Sequence, residues 1–378
     1  MNRGRYHVLD ALARKFLRPR ETTGAVVVYT PGHLGDVLHA VPMLKRLRQG
    51  LPGRRILWVV GPWSAPLAGR YPEWADEIVE FAPDDFNYYR GARTWRQGLA
   101  RQWLLGRRLN RAGAEFFVST PTEDVVCRFL ANAICPQRWS GVADQRPPRV
   151  RKTIETVFRP YEGARYEADA QAALLEPLGI SGPPVTELEY RVAEAERAQA
   201  ADFLRAEGIR PDRPLALIAP GSGWPGKNWL PERFGAVADW LAREKGCQVA
   251  WTGSEAEKSR VPPANRGARV WMGRLPLPVL AAAMERASVW VGNDSGPLHL
   301  AAAVGLPTVS IWGPTGPDKW APKGPKHRRV GKGLQCPGCV YWDSRKRCIR
   351  PRHECMEAIA AADVVAAIES LPLVWSRP

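Results

Sequence analysis

The sequence has no stretch approaching the ~18 uninterrupted apolar residues that a membrane span needs, and its N-terminus lacks the apolar run of a secretory signal. A chain that stays in the cytosol is therefore expected. Low-complexity tracts and short-period repeats are absent too. Acidic residues are the scarcer charge: 38 Asp plus Glu stand against 54 Lys plus Arg, a formal balance of +16 over 378 residues. Such a balance attracts polyanions, whether nucleic acid, anionic lipid or phosphorylated sugars. With 45% apolar and 24% charged residues, global disorder is excluded, and the length suits two domains or one unusually large α/β domain. Sixteen Trp in a basic protein could stack on bases or sugars, although buried packing is the commoner use of Trp.

From Gly24 the chain reads GAVVVYT, then PGHLGD, then VLHAVPMLKRLR, which is a buried-type strand, a glycine turn and a helix with Leu38, Val41, Leu44 and Leu47 on one face. Strand patterns follow at 54–60, 77–81 and 114–120, separated by helical patterns, so a parallel sheet covered on both faces is expected. Between Gly179 and Pro214 the composition becomes that of a linker with a polar helix over 192–206. At LALIAP (215–220) the strand-then-glycine grammar restarts, with further strands at 247–253, 288–293 and 307–313 and helices at 231–245 and 297–305. The fold class expected is α/β: two facing Rossmann-like domains with parallel sheets, residues 1–190 and 191–360, with ligands at the carboxyl ends of the strands. A tail over 361–378, containing the helix DVVAAIESL, is expected to pack back on the first domain. The first twenty residues carry Arg3, Arg5, Arg14, Lys15, Arg18 and Arg20, with Tyr6, Leu9, Leu12, Phe16 and Leu17 at roughly helical spacing. A basic amphipathic helix on a membrane surface fits that pattern, and so does a helix docked on the domain.

Three glycine turns could carry chemistry. The first has Gly32 and Gly35 without the G-x-G-x-x-G spacing, and no acidic residue closes the second strand, which argues against a nicotinamide dinucleotide. It places Asp36 at the mouth of a helix, where a carboxylate serves as an N-terminal cap or as a general base. The second turn, Gly221-x4-Gly226-Lys227, has most of a phosphate-binding loop, but Asn228 stands where Ser or Thr would hold Mg²⁺ and Pro225 removes a donor. What survives is a lysine and backbone N–H groups aimed at an anion, unless Lys227 is simply a solvated surface residue. The third, Val291-Gly292-Asn293-Asp294-Ser295-Gly296-Pro297-Leu298-His299, runs from a strand into a helix start that could hold phosphate, and an Asp/Ser cap with a packed His would look similar. Cys336-x2-Cys339-x8-Cys348-x6-Cys355 could make a structural zinc or iron site or remain free thiols. The other cysteines, Cys127, Cys135 and Cys247, are expected to be reduced core thiols.

In their order and spacing, GDVLHAVPMLKRLR, PGSGWPGKNWLPERF and VGNDSGPLHLAAAVGLPTVSIWGPTGP resemble the heptosyltransferase family of bacterial glycosyltransferases (family 9), enzymes of the two-domain GT-B fold. The resemblance runs from Gly24 to Leu371. It implies inverting transfer of a heptose from ADP-L-glycero-D-manno-heptose to the lipopolysaccharide inner core, with Asp36 as base. It further implies that Ser222, Lys227, Asp294, Ser295, Gly296 and His299 bind donor phosphate and sugar, and that Gly35 and His39 meet the acceptor. For the nucleotide ribose Glu255 and Glu257 compete, with Glu257 preferred. No D-x-D triplet occurs, so no cofactor is expected in catalysis. Seven Arg and no acidic residue lie between Phe86 and Ala114, which suits an acidic glycolipid and peripheral contact with the anionic inner face of the membrane. A related transferase using another nucleotide sugar or a protein acceptor keeps the same fold. A non-catalytic polyanion-binding protein would explain the charge, but no nucleic-acid motif is present.

Overall fold

Runs of β-branched residues become the centres of two sheets. The computed structural model describes residues 3–81, 95–122, 125–143, 150–160, 165–265, 268–333, 348, 352–373 and 375. The chain divides into two compact units, Met1–Val185 and Thr186–Pro378. In the first, Ala25–Thr30 (β1) and Ile56–Val60 (β2) bury every residue, as strands covered by helices on both faces must. Glu77–Glu80 (β3), Ala114–Thr122 (β4), Arg138–Ala143 (β5) and Glu155–Pro160 (β6) complete a parallel sheet of order β3-β2-β1-β4-β5-β6.

The second unit repeats that plan. Leu215–Ala219 (β7), Gln248–Trp251 (β8), Arg269–Val270 (β9), Val289–Asn293 (β10), Thr308–Ile311 (β11) and His327–Val330 (β12) form a parallel sheet of order β12-β11-β10-β7-β8-β9. Both sheets have the doubly wound order, which reverses direction between β1 and β4 and between β7 and β10. Loops leaving the carboxyl ends of such neighbours splay apart, and ligands enter the gap. The sheets and their flanking helices give the two Rossmann-like halves of a GT-B-type α/β fold.

Arg3–Phe16 (α1) precedes β1, and Leu34–Gly50 (α2) follows it. Trp95–Arg111 (α3) and Val125–Ile134 (α4) pack with α1 on the first sheet, and α1 contributes Leu9, Ala13 and the adjoining Leu17 to the core. Arg151 donates to the carbonyls of Ala13 and Leu17, both at 2.6 Å, and so ties down the C-terminal end of α1. In the second unit Pro231–Glu244 (α5) and Gly296–Ala303 (α6) follow β7 and β10. Ala361–Glu369 (α7), expected to return to the first domain, instead packs on α5, β11 and β12 of the second, with Val364 and Ile368 in its core. Six Trp (Trp58, Trp139, Trp229, Trp251, Trp271 and Trp290) are fully buried, so much of the aromatic content is core bulk. No helix among the described residues is long and apolar enough to cross a membrane.

At the sheet edge, His327 of β12 pairs with Thr308 of β11, and its Nδ1 lies 2.9 Å from Thr308 Oγ1. Burial, aided by neighbouring Lys326 and Arg328, pushes the imidazole pKa down from 6.5 to about 4. Between these two values the unfolded chain binds a proton that the folded chain refuses, so this residue subtracts stability as pH falls through the window and contributes nothing above it. In thermal denaturation from pH 7 to pH 4, His327→Asn is expected to flatten the decline in Tm. An unchanged slope would contradict this.

Candidate active site

In the first unit, a candidate site grows from the end of β1. Thr30 is fully buried and accepts a 2.6 Å hydrogen bond from Trp58 Nε1, which fixes the strand end. The chain then turns through Pro31, Gly32 and His33 into α2, whose third residue is Asp36. Asp36 Oδ2 accepts the His33 backbone N–H at 2.7 Å, so the carboxylate does cap the helix. A Cβ at position 32 would lie 2.4 Å from Asp36 Cβ and Oδ2, so only glycine lets the carboxylate fold back over the turn. The Gly32 carbonyl is held by Trp63 Nε1 at 2.9 Å and Ser64 Oγ at 3.2 Å. With Oδ2 engaged, the carboxylate is oriented and half-exposed, and capping uses only one of its two oxygens.

His39, expected to meet the acceptor, lies elsewhere. It is fully buried on the inner face of α2, donates from Nδ1 to the Gly35 carbonyl at 2.6 Å, and stands edge-on to Tyr166 at 5.5 Å between ring centroids. It has no surface to offer a ligand, because the turn of the helix between positions 36 and 39 carries it into the core. Gly35 is half-buried beside Asp36, and its carbonyl is engaged by that histidine.

In the second unit, a separate candidate site forms where the loops after β7 and β10 meet. Asn293, at the end of β10, donates to the Pro220 carbonyl at 2.9 Å and accepts the Trp229 N–H at 3.0 Å, which ties the two loops together. Ser222 Oγ bonds inside its own loop, 2.7 Å from the Trp224 carbonyl and 2.9 Å from Asn228 Oδ1. Lys227 Nζ donates to Asp294 Oδ2 at 2.7 Å, and Thr315 Oγ1 donates to the same oxygen at 2.7 Å. The Asp294 side chain is only 6% exposed and that of Lys227 22%, so this pair is largely withdrawn from water. Ser295 caps α6 by position, and its buried hydroxyl makes no hydrogen bond to the described residues. His299 is buried one turn into α6, with Nε2 3.9 Å from Asp294 Oδ1, beyond hydrogen-bond reach. Free N–H groups of a helix start, a cation and a small loop beside it make an anion site.

Of the two competing carboxylates, Glu257 faces this loop. Its Oε2 accepts from Ser254 N at 2.8 Å and Ser254 Oγ at 2.7 Å, and a Cβ at Gly221 would lie 2.1 Å from its Oε1. Glu255 is turned to solvent and paired with Lys258 at 3.2 Å. Thr315 and Asn293 had no role assigned from sequence. The signal for Thr315 was the GPTGP turn directly after a strand, and for Asn293 a buried-type strand ending on an amide. Cys336 and Cys339 lie outside the described residues. Cys348 and Cys355 are reduced and half-buried, with Cys348 Sγ 3.7 Å from the Arg352 carbonyl. Among the described residues no three His, Cys, Asp or Glu side chains are grouped to hold a metal.

A family model described as glycosyltransferase family 9 (heptosyltransferase) matches residues 168–349. Lipopolysaccharide heptosyltransferase 1 of Pseudomonas aeruginosa is 25% identical, covering 83% of this chain and 86% of its own length. A solved family 9 glycosyl transferase from Veillonella parvula is 25% identical with a TM-score of 0.72, over 92% of this chain and 97% of that one. ADP-heptose lipopolysaccharide heptosyltransferase II of E. coli shares the fold at 18% identity, with a TM-score of 0.69 over 92% of this chain and 98% of that one. Two doubly wound units, the second with an anion-type helix start at its switch point, together with these likenesses, define a glycosyltransferase. In sequence and fold the chain is similar to glycosyltransferase family 9, the heptosyltransferase family.

Removing the cation from the Lys227–Asp294 pair leaves a carboxylate stranded out of water with only Thr315 to support it. Lys227→Ala is expected to cost about 2 kcal/mol in urea denaturation, and adding Asp294→Asn to it should restore most of that loss. Additive losses in the double variant would show that the pair is not coupled.

Proposed function

We propose that the chain transfers a heptose from ADP-L-glycero-D-manno-heptose to an acidic glycolipid of the lipopolysaccharide inner core, with inversion and in a single displacement. The observation that carries this reading is the Lys227–Asp294–Thr315 constellation at the start of α6. The activities of the similar heptosyltransferases suggest the sugar and the acceptor class. Asp294 and Thr315 orient the ammonium of Lys227, so its charge is already in position when a diphosphate arrives. As the glycosidic bond to the diphosphate breaks, negative charge grows on the departing phosphate. Lys227, the N–H groups at the start of α6 and the Ser295 hydroxyl stabilise it by preorganised electrostatics. Glu257, set against Gly221, accepts hydrogen bonds from ribose hydroxyls. This charge comes from the chain's own groups, and the reading needs no metal for catalysis. A structural zinc or iron at Cys336, Cys339, Cys348 and Cys355 is proposed on their spacing alone, apart from the chemistry.

Asp36 acts as general base. Capping occupies Oδ2 and fixes the rotamer, and Oδ1 takes the proton from the acceptor hydroxyl as that oxygen attacks the anomeric carbon. The acceptor's negative groups are drawn to the Arg-rich first unit, at the cytoplasmic face of the membrane. Asparagine at position 36 can still accept the His33 N–H, so Asp36→Asn separates base from cap. Donor affinity measured by calorimetry is expected to stay within about twofold, and turnover to fall about 10²–10⁴-fold. Wild-type turnover in this variant would leave Asp36 a cap and nothing more.

A further inference from the structure

We propose that the outer faces of α1 and α3 form a docking surface for an anionic lipid bilayer. Among the described residues, the large apolar side chains left exposed are Val8 (54%), Leu12 (38%), Phe16 (59%) and Leu104 (60%). Single exposed apolar residues are ordinary, but these four fall on two helices packed side by side. Val8, Leu12 and Phe16 are spaced by four, so they form one line along α1, while Leu9 and Ala13 face the core. Docking on the domain and meeting a membrane are therefore compatible: one face of the helix serves each.

The exposed charges that these two helices themselves carry are positive, with Arg108 taken up by Glu77 of β3. Helix α3 carries five Arg and no acidic residue, and Arg101, Arg107 and Arg111 are exposed. Lys15 is exposed on α1 and lies 5.2 Å from the centre of the Phe16 ring. The one acid of α1, Asp10, is 3% exposed and is taken up by Arg14 at 2.5 Å, Arg128 at 3.4 Å and Asn132 at 2.6 Å. No acid on α1 or α3 thus offsets the outer cations. A second copy of the chain would bring two such cationic faces together. Nucleic acid would use the cations and leave the apolar line in water. A bilayer bearing anionic headgroups takes both: the line enters the headgroup–acyl boundary while the cations stay at the phosphates.

This inference stands apart from the sugar chemistry and is tested without it. The full chain is sedimented with vesicles of phosphatidylethanolamine and phosphatidylglycerol, and separately with phosphatidylcholine vesicles. The wild-type chain is expected to sediment with the anionic vesicles only. Leu12→Ser/Phe16→Ser/Leu104→Ser and Arg101→Gln/Arg107→Gln/Arg111→Gln should each lower the partition about tenfold or more, with unchanged Tm because all six positions are exposed. Three results would overturn the proposal: wild-type chain left in the supernatant with both vesicle types, undiminished binding by the serine variant, or a wild-type dimer that the serine substitutions disperse. The second would mean general polyanion attraction, and the third a second copy as the occupant.

Discussion

Lys227 and Asp294 are 67 residues apart in sequence and 2.7 Å apart in space, because the strands that precede them, β7 and β10, are neighbours where the second sheet reverses its order. The candidate donor chemistry depends on that adjacency. A lysine alone on a glycine turn is a mobile point charge, and a helix start alone is a weak anion site. Bound to a carboxylate that a threonine also holds, the ammonium loses its freedom before any ligand arrives, and electrostatic stabilisation requires that preorganisation. The cost is a pair of charges drawn out of water, met here by a hydroxyl on the carboxylate and partial exposure of the lysine.

The same economy of contacts operates at Asp36. A helix cap and a general base are usually weighed as rival roles for one carboxylate. Here the cap engages one oxygen in a fixed direction, which leaves the other for the proton transfer proposed above. Gly32 makes this possible by leaving no Cβ in the way. The two units thus use one device: a strand ends at a switch point, a glycine lets a side chain come close, and a helix start fixes its direction.

What was legible in the sequence follows from these physics. Runs such as AVVVYT and LALIA must be buried on both faces, so β1 and β7 and the glycine turns behind them could be read directly. HRRV could not, because β12 lies at a sheet edge where only half of its surface needs covering, and β9 spans two residues. The amphipathic pattern of α7 announced an apolar face without naming what the face would meet, and it met α5 and β12 of its own unit. At the site, the motif residues Lys227 and Asp294 were legible by type, but their contact was not. His39 was misplaced because a three-residue offset on a helix turns a side chain far enough to reach the core. Glu257 and Glu255 differ in which one caps Ser254, a choice that spacing alone leaves open.

On the proposed reading, Lys227 and the start of α6 hold a nucleoside diphosphate without a bridging metal. Its most direct test is calorimetric titration of ADP in EDTA into the wild-type chain and into Lys227→Ala. Binding to the wild type in EDTA is expected, with at least about tenfold weaker binding to the variant, since a charge-assisted contact to phosphate is lost. Binding that appears only when Mg²⁺ is added, or equal affinity in the two proteins, would contradict it.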